Sequence, residues 1–181
     1  MRLFTAIEIP HDVREILTQT IEKLKPSAKI RWSRPSNLHI TTKFLGEIAP
    51  ERFDTIVGAL RGVASTGPIP IEVRGAGWFP NPHSPRILYA GIQAPESLGQ
   101  LHRRTDERLE ALGVKTETKP FRPHLTLARI EAKVELAELR HAIFELPSNR
   151  FGAFTASHFH LYESQTAPGG SIYTKMAEFE I

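Results

Sequence analysis

Two short segments of this chain carry the same chemistry-bearing pattern, His39-Ile40-Thr41 and His124-Leu125-Thr126. A single His-x-Thr tripeptide says little, since 8 histidines and 14 threonines in 181 residues give roughly 0.6 of them by chance. The pair says more, because a shift of 85 residues superimposes other parts of the chain as well. Leu3-Phe4-Thr5-Ala6-Ile7-Glu8-Ile9-Pro10 falls over Leu88-Tyr89-Ala90-Gly91-Ile92-Gln93-Ala94-Pro95, and Thr20-Ile21-Glu22-Lys23-Leu24 over Thr105-Asp106-Glu107-Arg108-Leu109. Arg34-Pro35 falls over Lys119-Pro120. An internal duplication without a gap is the simplest account.

Side chains alternate along a strand, so His39, Thr41 and Lys43 are expected on one face, with Ile40, Thr42 and Phe44 on the other. His124 and Thr126 share a face in the second copy. If the copies pack about a pseudo-twofold axis, two imidazoles and two hydroxyls converge on one ligand. That set suits metal-free hydrolysis of a phosphodiester. A neutral imidazole takes a proton from attacking water, while an imidazolium gives one to the departing oxygen. An ordinary histidine pKa of about 6.5 lets both forms coexist near neutrality, and each positioned transfer is worth ~10²–10⁴ in rate. Thr41 and Thr126 can donate to the non-bridging oxygens. Lys43 and Arg122 add positive charge, and Phe44 and Arg129 complete the candidate substrate-binding set. The pleat points Arg129 away from His124, so it reaches a phosphate only if the strand ends or bends there. Taken singly, any of these residues is more often structural. Duplication on one face is what makes His39 and His124 catalytic candidates.

The elements that must hold them read as strand, helix, strand, helix, strand in each half. Leu3–Ile9 and Ile87–Ile92 are short apolar runs, each followed by a proline. Val13, Ile16, Leu17, Thr20, Ile21 and Leu24 recur at helical spacing, as do Leu98, Leu101, Thr105, Leu109 and Leu112. The motif strands fall at 38–45 and 124–129. Amphipathic helices carrying Phe53, Ile56, Val57 and Leu60, then Leu136, Leu139, Ile143 and Phe144, follow them, and further strands are expected at 70–78, 151–161 and 171–179. The turn-rich Phe79-Pro80-Asn81-Pro82-His83-Ser84-Pro85 marks the hinge. The expected architecture is α+β: two pseudo-symmetric lobes, each a small, largely antiparallel sheet backed by helices, around a central cleft. The chain is read as one bilobal domain, 1–181, with repeats at about 1–80 and 86–181. No glycine-rich loop follows the first strand, which disfavours a doubly wound nucleotide-binding sheet.

Composition narrows the classes. Forty per cent hydrophobic and 24 % charged residues describe a globular chain, and no apolar run approaches a membrane span. With no cysteine there is no disulfide, thiolate nucleophile or Cys-based zinc site, and a reducing cytoplasm is the expected setting. The net charge of +3 is modest, but Arg31, Arg34, Lys43, Lys119, Arg122, Arg129 and Lys133 all lie within ten residues of a motif histidine.

Pro35-Ser36-Asn37-Leu38-His39-Ile40-Thr41-Thr42-Lys43-Phe44-Leu45-Gly46-Glu47 and Lys119-Pro120-Phe121-Arg122-Pro123-His124-Leu125-Thr126-Leu127-Ala128-Arg129 resemble the paired motifs of the two-histidine phosphoesterase superfamily. Within it, the chain is similar nearly end to end to the RNA 2′,3′-cyclic phosphodiesterases, once called 2′-5′ RNA ligases. That resemblance implies hydrolysis of an RNA 2′,3′-cyclic phosphate end, or of a small cyclic-phosphate nucleotide, to a 2′-phosphate. It also implies a weak reverse 2′-5′ joining of RNA ends. His39 would be the proton donor to the 3′ oxygen and His124 the acceptor from water, an assignment the near-symmetric residues themselves leave open. No cofactor, metal, membrane or obligate protein partner is implied, and a monomer is expected.

Two rival readings come from other classes. A catalytically silent RNA-binding protein of the same fold would keep aromatic and basic surface but not both His-Thr pairs. A metal-dependent hydrolase would draw on His158 and His160, which share a strand face but lack a nearby acidic residue in sequence. Trp78, Phe79 and Phe121 are candidates either for base stacking or, more simply, for core packing.

Overall fold

The computed structural model describes residues 1–131 and 133–181. β1 (Arg2–Glu8) is buried from Leu3 to Ile7 on both faces. Pro10 caps α1 (His11–Leu24), whose Val13, Leu17, Ile21 and Leu24 form one buried stripe. The second copy repeats the device: β5 (Ile87–Gln93) runs to Pro95, which caps α3 (Glu96–Glu110) with Leu98, Leu101, Thr105 and Leu109 buried. β2 (Arg31–Trp32), β3 (His39–Glu47), α2 (Phe53–Arg61) and β4 (Ile69–Phe79) fill the first half. The second half continues with β6 (His124–Arg129), α4 (Ala137–Phe144), β7 (Arg150–Ala156), β8 (His158–Ala167) and β9 (Gly170–Glu180). Among the described residues no helix is long and apolar enough to cross a membrane.

The expected α+β architecture of two antiparallel sheets holds, with one correction to how the chain fills them. The sheets have the orders β3-β1-β8-β9 and β2-β6-β5-β4-β7. β4, from the first half, therefore lies in the sheet of the second motif, and β8 and β9 lie in the sheet of the first. Each half lends closing strands to the other lobe. The stretch 151–161, expected as one strand, breaks at Ser157: β7 pairs with β4 in one sheet and β8 with β1 in the other. The two-residue β2 is too short to leave a pattern in the sequence, and it covers the free edge of β6.

The repeat also needs a slip. Glu8 pairs with His39, and Gly91 with His124, so the first strands correspond at a spacing of 83 residues while the motif strands correspond at 85. A slip of two preserves the faces of a strand, so it leaves the pleat intact. It does put Tyr89, not Gly91, in the place of Ala6, beside the motif threonine. Gly77 faces Tyr89 across the ladder, and a Cβ there would lie 2.4 Å from the phenol oxygen.

Candidate active site

β3 and β6 bring His39, Thr41, His124 and Thr126 to one cleft of about 510 Å³. Both imidazoles are held alike. The Nδ1–H of His39 donates to the carbonyl of Asn37 at 2.7 Å, and that of His124 donates to the carbonyl of Arg122 at 2.8 Å. Each tether reaches two residues back and fixes the neutral tautomer with its lone pair on Nε2. His39 Nε2 lies 3.0 Å from Thr41 Oγ1, and in the neutral ring that hydroxyl donates.

A β-bulge just after each motif threonine reshapes the expected faces. Ala6 pairs with Thr41 and Thr5 with Lys43, leaving Thr42 as the extra residue; Tyr89 pairs with Thr126 and Leu88 with Ala128, leaving Leu127 extra. Beyond the bulge the alternation reverses. Lys43, expected beside His39, instead turns into the core at 1 % exposure. Its ammonium contacts the Asp106 carboxylate and donates to the Lys115 carbonyl at 2.8 Å. Thr42 joins it on the buried side, its hydroxyl 2.7 Å from that of Thr5. Phe44 swings to the cleft and is 55 % exposed. By the same reversal Arg129 lines the cleft, supplying the bend that its participation required. Arg122 lies outside this cleft, on an adjoining groove of about 570 Å³ that shares Thr41, Phe44 and His124 with it.

Aromatic side chains enclose the histidines, and their role is not visible in the tripeptide pattern. Phe4 and Tyr173 sit 5.0 and 5.2 Å from the His39 ring. Phe79 and Tyr89 sit 4.9 and 5.6 Å from the His124 ring and stack on each other. Phe79 thus stacks at the site, whereas Trp78 and Phe121 pack against the core. Trp78 also lies under the Arg140 guanidinium at 4.8 Å. His102 braces both motifs, with Nδ1–H donating to the Thr42 carbonyl at 2.6 Å and its ring stacked on Phe121 at 4.3 Å. The signal for these residues is their position opposite or beside motif residues, which only strand pairing reveals.

Burial among these rings disfavours the charged imidazole. It pushes His39 down to about 4, against the stabilising Asn37 carbonyl, with smaller downward pushes from His124 and Arg129. His124 is also held below the ordinary range, first by burial and then by Arg129, against the Arg122 carbonyl. His158 and His160 stand apart. His160 is 4 % exposed and 2.8 Å from Glu178 across the β8–β9 hairpin, and His158 contacts Ser157. Among the described residues no three His, Cys, Asp or Glu side chains are grouped to hold a metal ion.

Comparison with known proteins follows the same outline. The family model described as LigT like Phosphoesterase matches residues 7–89 and again 92–173, two successive segments that parallel the duplicated lobes. Proteins named RNA 2′,3′-cyclic phosphodiesterase from Methanocaldococcus jannaschii and Archaeoglobus fulgidus are 35 % and 34 % identical, over 99 % of this chain and 100 % of theirs. The crystal structure of TT0787 of Thermus thermophilus matches with a TM-score of 0.83 at 29 % identity, over 99 % of this chain and 97 % of that one. Escherichia coli LigT complexed with 3′-AMP matches with a TM-score of 0.80 at 25 % identity, over 99 % and 97 %.

Proposed function

This chain belongs to the LigT-like phosphoesterase family, and on that premise we propose that it is an RNA 2′,3′-cyclic phosphodiesterase working through paired imidazoles without a metal. The observation that carries the reading is the matched tethering of His39 and His124: each Nδ1–H is fixed on a carbonyl two residues back, in one shared cleft. Support for the substrate comes from relatives named for it and from the 3′-AMP complex of E. coli LigT.

In the proposed reaction, His124 Nε2 takes a proton from water as its oxygen attacks phosphorus. The bond from phosphorus to the ribose O3′ breaks, and His39, as imidazolium, gives its Nε2 proton to that oxygen. The products are a 2′-phosphate and a 3′-hydroxyl. Charge on the non-bridging oxygens is met by Thr41, Thr126 and Arg129. When His39 is charged its Nε2 carries a proton, so the Thr41 hydroxyl no longer donates to the ring and is released to donate to phosphate. With the 5′-hydroxyl of a second RNA in place of water, the same groups form a bond from that oxygen to phosphorus as the bond to O3′ breaks, which leaves a 2′-5′ linkage.

The test supplies purified protein with an RNA ending in a 2′,3′-cyclic phosphate, in the presence of a strong chelator. A 2′-phosphate product is expected, and His39→Ala and His124→Ala should each abolish turnover while the fold survives. A 3′-phosphate product would reverse the assigned leaving group. Undiminished turnover in both variants would remove the histidines from the chemistry.

A further inference from the structure

The cleft holds more positive charge than the reacting group needs. A cyclic phosphodiester carries one negative charge, yet Arg2, Arg31, Arg34 and Arg129 all line the cleft and, among the described residues, no carboxylate does. They come from four separate places: β1, β2, the turn before β3, and β6. Arg31 and Arg129 are direct partners across the β2–β6 ladder, an arrangement in which like charges cost stability. Glu131 offsets part of this by pairing with Arg31 at the surface, and Arg34 donates to the Gly169 carbonyl at 2.8 Å, which leaves its charge uncompensated. Among the described residues Arg2 and Arg129 have no salt-bridge partner. Even with one guanidinium assigned to the reacting phosphate and one balanced by Glu131, two positive charges remain.

We infer that this arginine floor binds internucleotide phosphates on the 5′ side of the cyclic end, so that the preferred substrate is an RNA chain of at least three nucleotides and not a cyclic mononucleotide. The inference rests on the proposed cyclic phosphodiesterase activity and specifies which form of that substrate the site takes. Its physical basis is a charge match. Each added nucleotide contributes one phosphate, and every phosphate neutralised by arginine releases bound counterion. The adjoining groove, lined by Phe79 and Phe121 together with Arg86, Lys119, Arg122 and Glu117, offers aromatic faces on which a base can stack.

The experiment compares a 2′,3′-cyclic mononucleotide with a di- and a trinucleotide carrying the same terminal base, measuring kcat/KM between low and moderate salt. It uses the wild type, Arg2→Gln and Arg34→Gln. For the wild type kcat/KM should rise with each phosphate, and its log–log salt slope should steepen by about 0.7 per phosphate bound. Either substitution should remove about one such step from the trinucleotide slope, lowering the trinucleotide-to-mononucleotide ratio. Arg34→Lys should retain most of it, and Glu131→Gln should leave the slope at least as steep. Equal kcat/KM and equal slopes for all three substrates overturn the inference, as does an equal loss on mononucleotide and trinucleotide in the variants. Failure of the wild type to turn over any of the three would strike the proposed activity instead.

Discussion

Asn37 ties His39 to the far end of the chain. Its carbonyl accepts the His39 Nδ1 proton at 2.7 Å, while its side-chain amide donates to the Ser171 carbonyl at 2.8 Å, next to the tip of the β8–β9 hairpin. The second copy has Arg122 at this position, whose side chain is exposed and makes no such tie among the described residues. Asn37 is thus a positioning residue for one histidine only. Asn37→Ala should free the hairpin tip and let the imidazole tilt, lowering kcat on the order of 10²-fold for a displacement near 1 Å. The diagnostic readout is the titration of His39 by NMR, expected to rise from about 4 toward the ordinary value as water reaches the ring. A variant with unchanged titration and unchanged kcat would reduce the tether to mere packing.

The depressed imidazoles set a pH signature. In the free protein both histidines are neutral at pH 7, because burial holds His39 at about 4 and His124 below its ordinary range. An anionic phosphate beside an imidazole favours its charged form and so raises the pKa. The limbs of kcat/KM, which report the free protein, should lie on the acid side of about 6.5, and those of kcat at higher pH. Arg129 pushes both histidines down, so Arg129→Gln should move the kcat/KM profile upward in pH. Coincident optima for kcat and kcat/KM would contradict this account.

Lys43 should prove structural. Its ammonium is enclosed with Asp106, whose carboxylate side chain is only 15 % exposed. Lys43→Met strands that carboxylate, a change worth about 3–5 kcal/mol in buried pairs, and urea denaturation should register a loss of that order. Lys43→Met with Asp106→Leu should recover much of the stability, since removing both charges also removes the need to desolvate them. Turnover by the refolded double variant should stay within a few-fold of wild type; a loss comparable to that from removing a histidine would return Lys43 to the reaction.

Alternation of side chains along the motif strands accounts both for what the sequence disclosed and for where it stopped. His39 with Thr41, and His124 with Thr126, lie ahead of the bulges, where alternation holds, so their convergence was legible from spacing and duplication. Lys43, Phe44 and Arg129 lie beyond the bulges, and one extra residue inverts every later side chain. A trace of this was present in Leu127-Ala128, two adjacent apolar residues that break the alternation, but nothing comparable marks Thr42-Lys43. The exchange of β4 for β8 and β9 depends on long-range pairing, and no local pattern encodes it. Phe4, Phe79, Tyr89 and Tyr173 read as ordinary strand residues until the ladders bring them against the histidines.

The two bulges give Phe44 and Arg129 the same address in the two copies, 85 residues apart, with opposite chemistry. Each follows its motif threonine by three residues and re-enters the cleft by the same reversal. At this pair of positions the site is therefore asymmetric in charge, with a cation on the His124 side and an aromatic ring on the His39 side, although its proton-transfer groups are near-symmetric. Stabilisation of the transition-state oxygens should depend on the first: Arg129→Ala should lower kcat by about 10²–10³, the usual cost of one preorganised donor, and Arg129→Lys should recover only part, since a point charge lacks the guanidinium fork. Phe44→Ala should act instead mainly on KM, by removing a surface against which a base can stack. Exchanging the two residues tests the asymmetry directly. If Phe44→Arg with Arg129→Phe retained wild-type kcat and the same 2′-phosphate product, the sidedness of the charge would not matter, and the assignment of leaving group and nucleophile to opposite histidines would lose its electrostatic support.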